Sequence, residues 1–515
     1  MKLVTVAEMQ SIEREADARG WTYAAMMDKA GRGLAEAVQA NFGYSDRLFA
    51  LALVGSGNNG GDALVALAEL ALVGWQTAAY LVRAREKDDP LIARAREAGC
   101  LIGAVDEDGR FSLLDGWLEE ASVLLDGILG TGVKLPLRGA IASVLSHVRA
   151  SAFCPPVVAV DCPSGVDCDL GRAALEVLPA ELTVCMAAVK AGLLQFPACE
   201  YTGEIQVVSI GLPDGLESWL RVQREVIEDE YVRGVLPARR ADGHKGSFGT
   251  VVVAAGSANF PGAALLAGKA ALRVGPGLVT LAVPATTQAA LVGHIPEATW
   301  LPLSQQAGNL SGIGASELRA GLTSADALLF GSGFGVAEST ADFVHGLVSS
   351  PGLPALVVDA DGLKLLARVP AWAEKLPAES VLTPHPGEMA VLTGLPVSEI
   401  QADRAGIAAR FAREWGHVVV LKGAFTVVAG PDGRIGVIPV ATSALAHAGT
   451  GDVLAGIIAG LRAQRMNVFE AAAAGAWLHA RAGLAAEERL GHAACVTAGE
   501  VITSLPEVIA SVWER

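Results

Sequence analysis

The 515-residue chain is poor in aromatic residues (5%) and charged residues (18%), and it has no surplus of positive charge: 39 Lys and Arg stand against 55 Asp and Glu, a formal net charge of −16. Sequence-independent binding to phosphate backbones depends on clustered Lys and Arg, so no nucleic-acid partner is expected. Long apolar runs are missing as well. The longest charge-free stretch, Val274 to Pro296, is broken by Pro276 and Pro284 and carries Thr, Gln and His, whereas a spanning helix needs about 20 mostly apolar residues, so no membrane partner is expected. Glu8, Glu13 and Glu15 stand where an export signal would place an apolar run, and no export is expected. The seven cysteines form no C-x-x-C pair. That excludes the usual metal clusters and disulfide frameworks and leads us to expect reduced, mostly buried thiols in a cytoplasmic protein.

What the chain has instead is small aliphatic residues and 59 glycines, with 52% of residues in the AVILMFWYC set. Such a chain has ample material for buried cores and is too long for one of them. The first ~45 residues read as helices, with apolar positions at Met9, Ile12 and Ala16, then Ala24, Met27, Ala30, Leu34 and Val38. Short apolar runs follow at Leu48–Val54, Thr77–Val82, Ser122–Asp126, Val157–Asp161, Leu182–Met186 and Ile205–Ile210. A second series occupies Thr250–Ala255, Leu278–Val283, Ala327–Phe330, Ala355–Asp359, Val381–Thr383 and Val418–Leu421, with helices such as Gly262–Val274 and Asp452–Arg462 between the strands. Alternating strands and helices predict two α/β domains with mainly parallel sheets, divided near residue 220 in the charged stretch Pro213–Arg240. Their motifs differ, so the chain is read as a fusion of unlike domains.

Three turns in the first half carry chemistry. A strand runs into Gly55-Ser56-Gly57-Asn58-Asn59-Gly60-Gly61-Asp62, where glycines allow close approach of a ligand and the next helix offers free N–H groups. The simpler alternative is a tight turn capped by Asp62. A second strand ends at Asp126 before Gly130-Thr131-Gly132, and a third at Asp161 before Pro163-Ser164-Gly165. Carboxylates at the carboxyl ends of parallel strands lie where open α/β sheets bind ligands, and Asn59, Asp126 and Ser164 offer oxygen donors for a hard cation. GNNGGD, D-G-x-L-G-T-G and D-x-P-S-G-V-D in this order resemble the YjeF N-terminal family, the NAD(P)HX epimerases, with Ser56, Ala63 and Cys162 replacing the family's usual Pro, Gly and Ile. The resemblance implies a Rossmann-like three-layer α/β sandwich. It also implies that Asn58, Asn59, Gly60, Gly61 and Asp62, with Gly130, Thr131, Gly132, Val133, Lys134, Leu135 and Pro136, hold the hydrated nicotinamide nucleotide. Asp161 would contact it, and Asn59, Asp126 and Ser164 would bind K⁺. Asp126 or Asp161 is the candidate to move a proton.

In the second half, Lys245, Gly246 and Gly249 precede a strand that enters a helix at Pro261-Gly262, and Gly331, Gly333 and Gly335 follow another strand. His385 lies between two prolines after a third strand, in a turn rigid enough for binding. Lys422, Gly423 and Thr426 end a strand ahead of an expected hairpin, and Gly449-Thr450-Gly451-Asp452 opens an apolar helix. Backbone donors, a positive dipole end and one carboxylate can together hold a phosphate while a base takes a proton from a hydroxyl. HKGxFG, PGAALLAGKAALRVGPGLV, LTPHPGEMAVLTG, LKGAFT and AGTGDVLAG resemble the ribokinase-like superfamily, in particular its YjeF C-terminal branch of ADP-dependent NAD(P)HX dehydratases. The resemblance implies that Lys422, Gly423, Ala424, Phe425 and Thr426, with Gly449, Thr450 and Gly451, contact the adenine nucleotide. Ala263, Gly335 and His385 would contact the hydrated substrate, and Asp452 would be the base. Expected ligands are NADHX, NADPHX and ADP, with K⁺ in the first domain and Mg²⁺ as a further candidate, and a homo-oligomer is expected. The alternatives are a ribokinase-like kinase of a sugar or hydroxymethylpyrimidine, and a first half that only binds nucleotide or scaffolds other proteins.

Overall fold

The computed structural model describes residues 1–44 and 47–514. It divides into two compact units, Met1–Arg224 and Glu225–Arg515. The first is built on seven strands: β1 Phe49–Val54, β2 Gln76–Leu81, β3 Leu101–Ala104, β4 Val123–Gly127, β5 Val157–Val160, β6 Leu182–Met186 and β7 Glu204–Val208. Their order is β3-β2-β1-β4-β5-β6-β7, and every pairing is parallel. Alternate residues of β1 enter two cores. Ala50, Ala52 and Val54 pack with the helices Val6–Ala18, Tyr23–Phe42 and Asn58–Leu72, while Phe49, Leu51 and Leu53 pack with Ser112–Glu120 and Gly139–Ala150. A sheet covered on both faces explains why its central strands read as unbroken apolar runs. Strand order reverses between β1 and β4, the switch point where such sheets open a crevice at their carboxyl ends.

The second unit carries a ten-stranded sheet. Its strands are β8 Arg224–Val226, β9 Thr250–Ala254, β10 Leu278–Pro284, β11 Thr299–Leu303, β12 Ala327–Phe330, β13 Ala355–Val358, β14 Val381–Leu382, β15 Val418–Leu421, β16 Val427–Ala429 and β17 Ile435–Val437. The order is β8-β17-β16-β15-β14-β13-β12-β9-β10-β11. Strands β9 to β15 pair in parallel, and β15-β16-β17 turn antiparallel at the expected hairpin. Here too β9 feeds two cores, Val251 and Val253 into one and Val252 and Ala254 into the other. Among the described residues no helix is long and apolar enough to cross a membrane.

Three strands escape the sequence pattern, β3, β8 and β11. All are sheet edges: β8 has only three residues in a charged stretch, β3 is half exposed and contains Gly103, and β11 is half exposed and contains Pro302, which cannot donate to a ladder. In the helix Tyr23–Phe42 Ala30, Leu34 and Val38 are buried as expected, but in its first turns Met26 rather than Ala24 or Met27 is buried.

The helices Thr450–Ala463 and Pro261–Arg273 meet at Gly456, where a Cβ would stand 2.2 Å from the Ala267 carbonyl oxygen. In an exposed helix Gly→Ala gains about 1 kcal/mol. Gly456→Ala is instead expected to destabilise the second unit by ~1–3 kcal/mol through overpacking, seen as a lower urea midpoint for that unit.

Candidate active sites

At the switch point of the first unit, a cleft of about 530 Å³ is lined by the loop Ser56–Asn59, Asp62, Ile128–Gly132 and Asp161. Tyr23, Met26, Met27, Gln10 and Glu13 close it from the N-terminal helices. The helix after β1 starts at Asn58 on an Ncap of Gly57. Asp62 therefore does not cap it, and the turn-cap alternative is corrected: its carboxyl is buried one turn in, 6% exposed. Burial first, then the charges of Asp161 and Glu13, push the Asp62 carboxyl well above its ordinary range. Gly60, Gly61 and Val133 to Pro136 do not line the cleft.

The three predicted oxygen donors do come together behind the cleft wall. Ser164 N–H donates to Asp126 Oδ2 (2.8 Å), Leu129 N–H donates to Ser164 Oγ (2.8 Å), and Asn59 Nδ2 donates to the carbonyls of Leu129 and Val160. A Cβ at Gly130 would stand 2.3 Å from Asn59 Oδ1, so glycine is required there. Asp126 is fully buried, its Oδ1 has no partner, and burial raises its pKa against the hydrogen bonds from Ser164. Asp126 does not reach the cleft surface; Asp161 does.

Asp161 adopts φ +65°, a left-handed conformation costing ~1–3 kcal/mol, which the surroundings must hold in place. Its Oδ1 accepts from Met186 N–H (2.8 Å) and from the fully buried ammonium of Lys190. Burial is the largest single effect and opposes the Lys190 charge, but the Asp161 charge and hydrogen bond, with Cys185 and Cys162, together raise the ammonium pKa. Burial raises the Glu13 carboxyl, with Lys190 opposing and Asp161 adding. Neither Lys190 nor Glu13 was singled out from the sequence. A lysine after an apolar strand and a glutamate in an amphipathic helix both read as solvated ends.

In the second unit the chemistry also gathers at the carboxyl ends of the parallel strands. Lys422, after β15, reaches Asp359 Oδ1, after β13 (2.6 Å), and stands 3.6 Å from Glu388 Oε2. Burial opposes the Lys422 charge, yet Asp359 and Glu388 raise its pKa. Thr383 Oγ1 donates to Asp359 Oδ1 (2.7 Å). Asp452 lies in the first turn of the helix Thr450–Ala463, and a Cβ at Gly451 would stand 3.4 Å from Lys422 Nζ. Burial, then the Asp359 charge, push the Asp452 carboxyl up to about 6, against a hydrogen bond from Ser332 and the Lys422 charge.

A pocket of about 190 Å³ beside this network is lined by Lys422, Gly423, Ala424, Thr426, Thr450, Gly451 and His479, with Phe425 and Gly449 outside its lining. Burial lowers the His479 imidazole to about 4, and its Nε2 has no partner. Gly335 N–H donates to Asp361 Oδ2 (2.9 Å), and Ala263 is buried at the start of the helix Pro261–Arg273. His385 caps its own helix, its Nδ1 accepting from Gly387 N–H (2.9 Å), and its Nε2 lies 3.2 Å from Glu388 Oε1. Burial would raise Glu388, but its hydrogen bond with His385 and the Lys422 charge bring it down to about 2. Asp359, Glu388 and His479 were not anticipated. Asp359 ends a predicted strand without a glycine motif, and His479 lies inside an Ala-rich helix that reads as core.

Comparison with known proteins matches each unit separately. A family described as YjeF-related protein N-terminus matches residues 23–192, and one described as NAD(P)H-hydrate dehydratase matches residues 251–506. The chain is 38% identical over its whole length, and 98% of the relative's, to a bifunctional NAD(P)H-hydrate repair enzyme Nnr of Moorella thermoacetica. It is 35% identical to the protein of that name from Escherichia coli, over 93% of this chain and 88% of the other. Among solved structures, an ADP/ATP-dependent NAD(P)H-hydrate dehydratase from Bacillus subtilis, co-crystallised with ATP/Mg²⁺, is similar over 56% of this chain and 98% of its own, at 32% identity and a TM-score of 0.47.

The Lys190–Asp161 pair fixes the first cleft. Lys190→Met strands Asp161 beside Asp62 and Glu13 and is expected to destabilise the first unit by ~3–5 kcal/mol in equilibrium unfolding, as losing one member of a buried pair does.

Proposed function

The chain belongs to the family of bifunctional NAD(P)H-hydrate repair enzymes, and we propose on that premise that each unit performs one half of the repair. The enzyme restores NADH and NADPH from their hydrates. The first unit interconverts the two C6 epimers, and the second dehydrates one of them at the expense of a nucleotide. Hydroxide is a poor leaving group, so the second unit first converts the C6 hydroxyl to a phosphate ester. Asp452 takes the hydroxyl proton, and the oxygen attacks the β-phosphate of ADP while AMP leaves. The N–H groups at Gly449 to Gly451 stabilise the charge on the phosphate. Loss of phosphate from C6 and of a proton from C5 then restores the dihydronicotinamide. Lys422 to Thr426, Thr450 and Gly451 hold the nucleotide, and Ala263, Gly335 and His385 hold the hydrated ring.

The observation that carries this reading is the position of Asp452. It stands at a helix N-terminus against the Lys422 network, buried enough to be a base near neutral pH, and next to a pocket of the right lining. In the first unit Asn59, Asp126 and Ser164 are the residues we assign to K⁺, because Asp126 Oδ1 is buried with no partner, Ser164 bonds Asp126, and Ser164 and Asn59 both bond Leu129. The ion would supply fixed positive charge that orders the Gly130 and Ser164 loops. Asn58, Asn59, Asp62, Gly130 to Gly132 and Asp161 hold the substrate, Asp161 as an orienting acceptor. A cytoplasmic setting and a homo-oligomer complete the proposal.

Asp452→Asn is expected to lower dehydration by on the order of 10²–10⁴-fold while epimers still equilibrate. In the parent enzyme the base works ionised, so dehydration falls as pH drops below about 6 and the carboxyl is protonated. Initial rates of NADH formation from one accepted epimer across pH check both. A variant that keeps the parent rate and the acid limb contradicts the assignment.

A further inference from the structure

The carboxyls at the first cleft differ in what already engages them. Asp126 lies behind the wall, fully buried, and holds Ser164. Asp161 faces the cleft but accepts from both Met186 N–H and Lys190, which leaves it a poor proton carrier. Asp62 is 6% exposed, in surroundings that favour its neutral form. Glu13 is different. It comes from the helix Val6–Ala18, is half-buried, lines the cleft beside Tyr23, Met26 and Met27, and accepts no hydrogen bond from the described residues. It also lies outside residues 23–192, the span matched by the family of the first unit.

We propose that Glu13 is the catalytic acid–base residue of epimerisation, carrying one proton between the C6 oxygen and the ring nitrogen N1 of the hydrated nicotinamide. The proposal rests on the epimerase reading of the first unit. In the hydrate, C6 bears both the hydroxyl and N1. The Glu13 carboxylate takes the hydroxyl proton, the O–H electron pair forms C6=O, and the C6–N1 pair moves onto N1. The proton then passes from the carboxyl to N1. Rotation of the open-chain aldehyde about C5–C6 presents its other face, and closure reverses each transfer to leave the opposite epimer. No co-reactant is consumed, and Glu13 ends as it began.

The groups facing Glu13 suit this task. Asp62 from the helix Asn58–Leu72, Asp161 after β5 and Lys190 after β6 act on its charge, and Arg83 lines the same cleft. Burial makes its carboxylate a stronger base than an exposed glutamate, and Met26 and Met27 line the cleft with it.

The test uses the full chain with a single NADHX epimer, K⁺ and no nucleotide, with chromatographic separation of the epimers and an enzyme-free control. The parent enzyme should equilibrate the epimers, with a rate that falls as pH drops through the raised Glu13 pKa. Glu13→Gln should lower that rate by about 10²-fold or more and abolish the acid limb, while ADP-dependent dehydration of the accepted epimer stays unchanged. Glu13→Asp should recover part of the rate with a displaced limb, and it decides the matter if the Gln variant does not fold. Epimerisation by Glu13→Gln at the parent rate, or a slower rate with the same acid limb, overturns the proposal alone. A parent enzyme that leaves the single epimer unchanged overturns the epimerase reading beneath it.

Discussion

Each unit is organised by one lysine held against a buried aspartate at the carboxyl rim of a parallel sheet: Lys190 on Asp161, and Lys422 on Asp359. Helices cover both faces of such a sheet, so charge can gather only along the rim, and there it is costly unless paired. In both rims carboxyls outnumber the lysine. Asp62 and Glu13 crowd the first pair, and Glu388 and Asp452 crowd the second. Burial first, then the neighbouring carboxylates, raises the pKa of Asp62 and Asp452, and burial raises that of Glu13 against the Lys190 charge. Glu388 goes the opposite way because His385 and Lys422 both hold it. Paired carboxyls fix the site, and unpaired ones are left able to move protons.

The same constraint explains how a chain of formal charge −16 can serve anionic nucleotides. Positive potential comes from oriented backbone rather than from a basic surface: the helix starts at Asn58 and Thr450 present free N–H groups at the rims. Glycines beside them let a phosphate approach.

The buried central strands were legible in the sequence because both of their faces are covered, so they read as short unbroken apolar runs. The edge strands β3, β8 and β11 were not, because an edge strand is part exposed, β8 is three residues long, and Gly103 and Pro302 interrupt the other two. The site was legible where it depends on backbone shape. The glycine loops at Gly55–Gly61, Gly130–Gly132 and Gly449–Gly451 all fall at the strand or helix ends expected of them. It was not legible where it depends on one charged side chain delivered from a distant element. Glu13, Lys190 and Asp359 have no local signature, since pairing across the fold gives them their roles. Met27 shows the converse, an apolar residue that periodicity assigns to the core and the structure turns toward the cleft.

The central claim is that one chain repairs both epimers by two separable chemistries. The most direct measurement gives the purified enzyme an equal mixture of the two NADHX epimers with excess ADP and K⁺ and follows NADH absorbance to completion. The account predicts recovery of all the hydrate with stoichiometric AMP and phosphate. Recovery that stops at half contradicts the epimerase assignment, and no recovery, or a phosphorylated nucleotide that persists, contradicts the dehydratase.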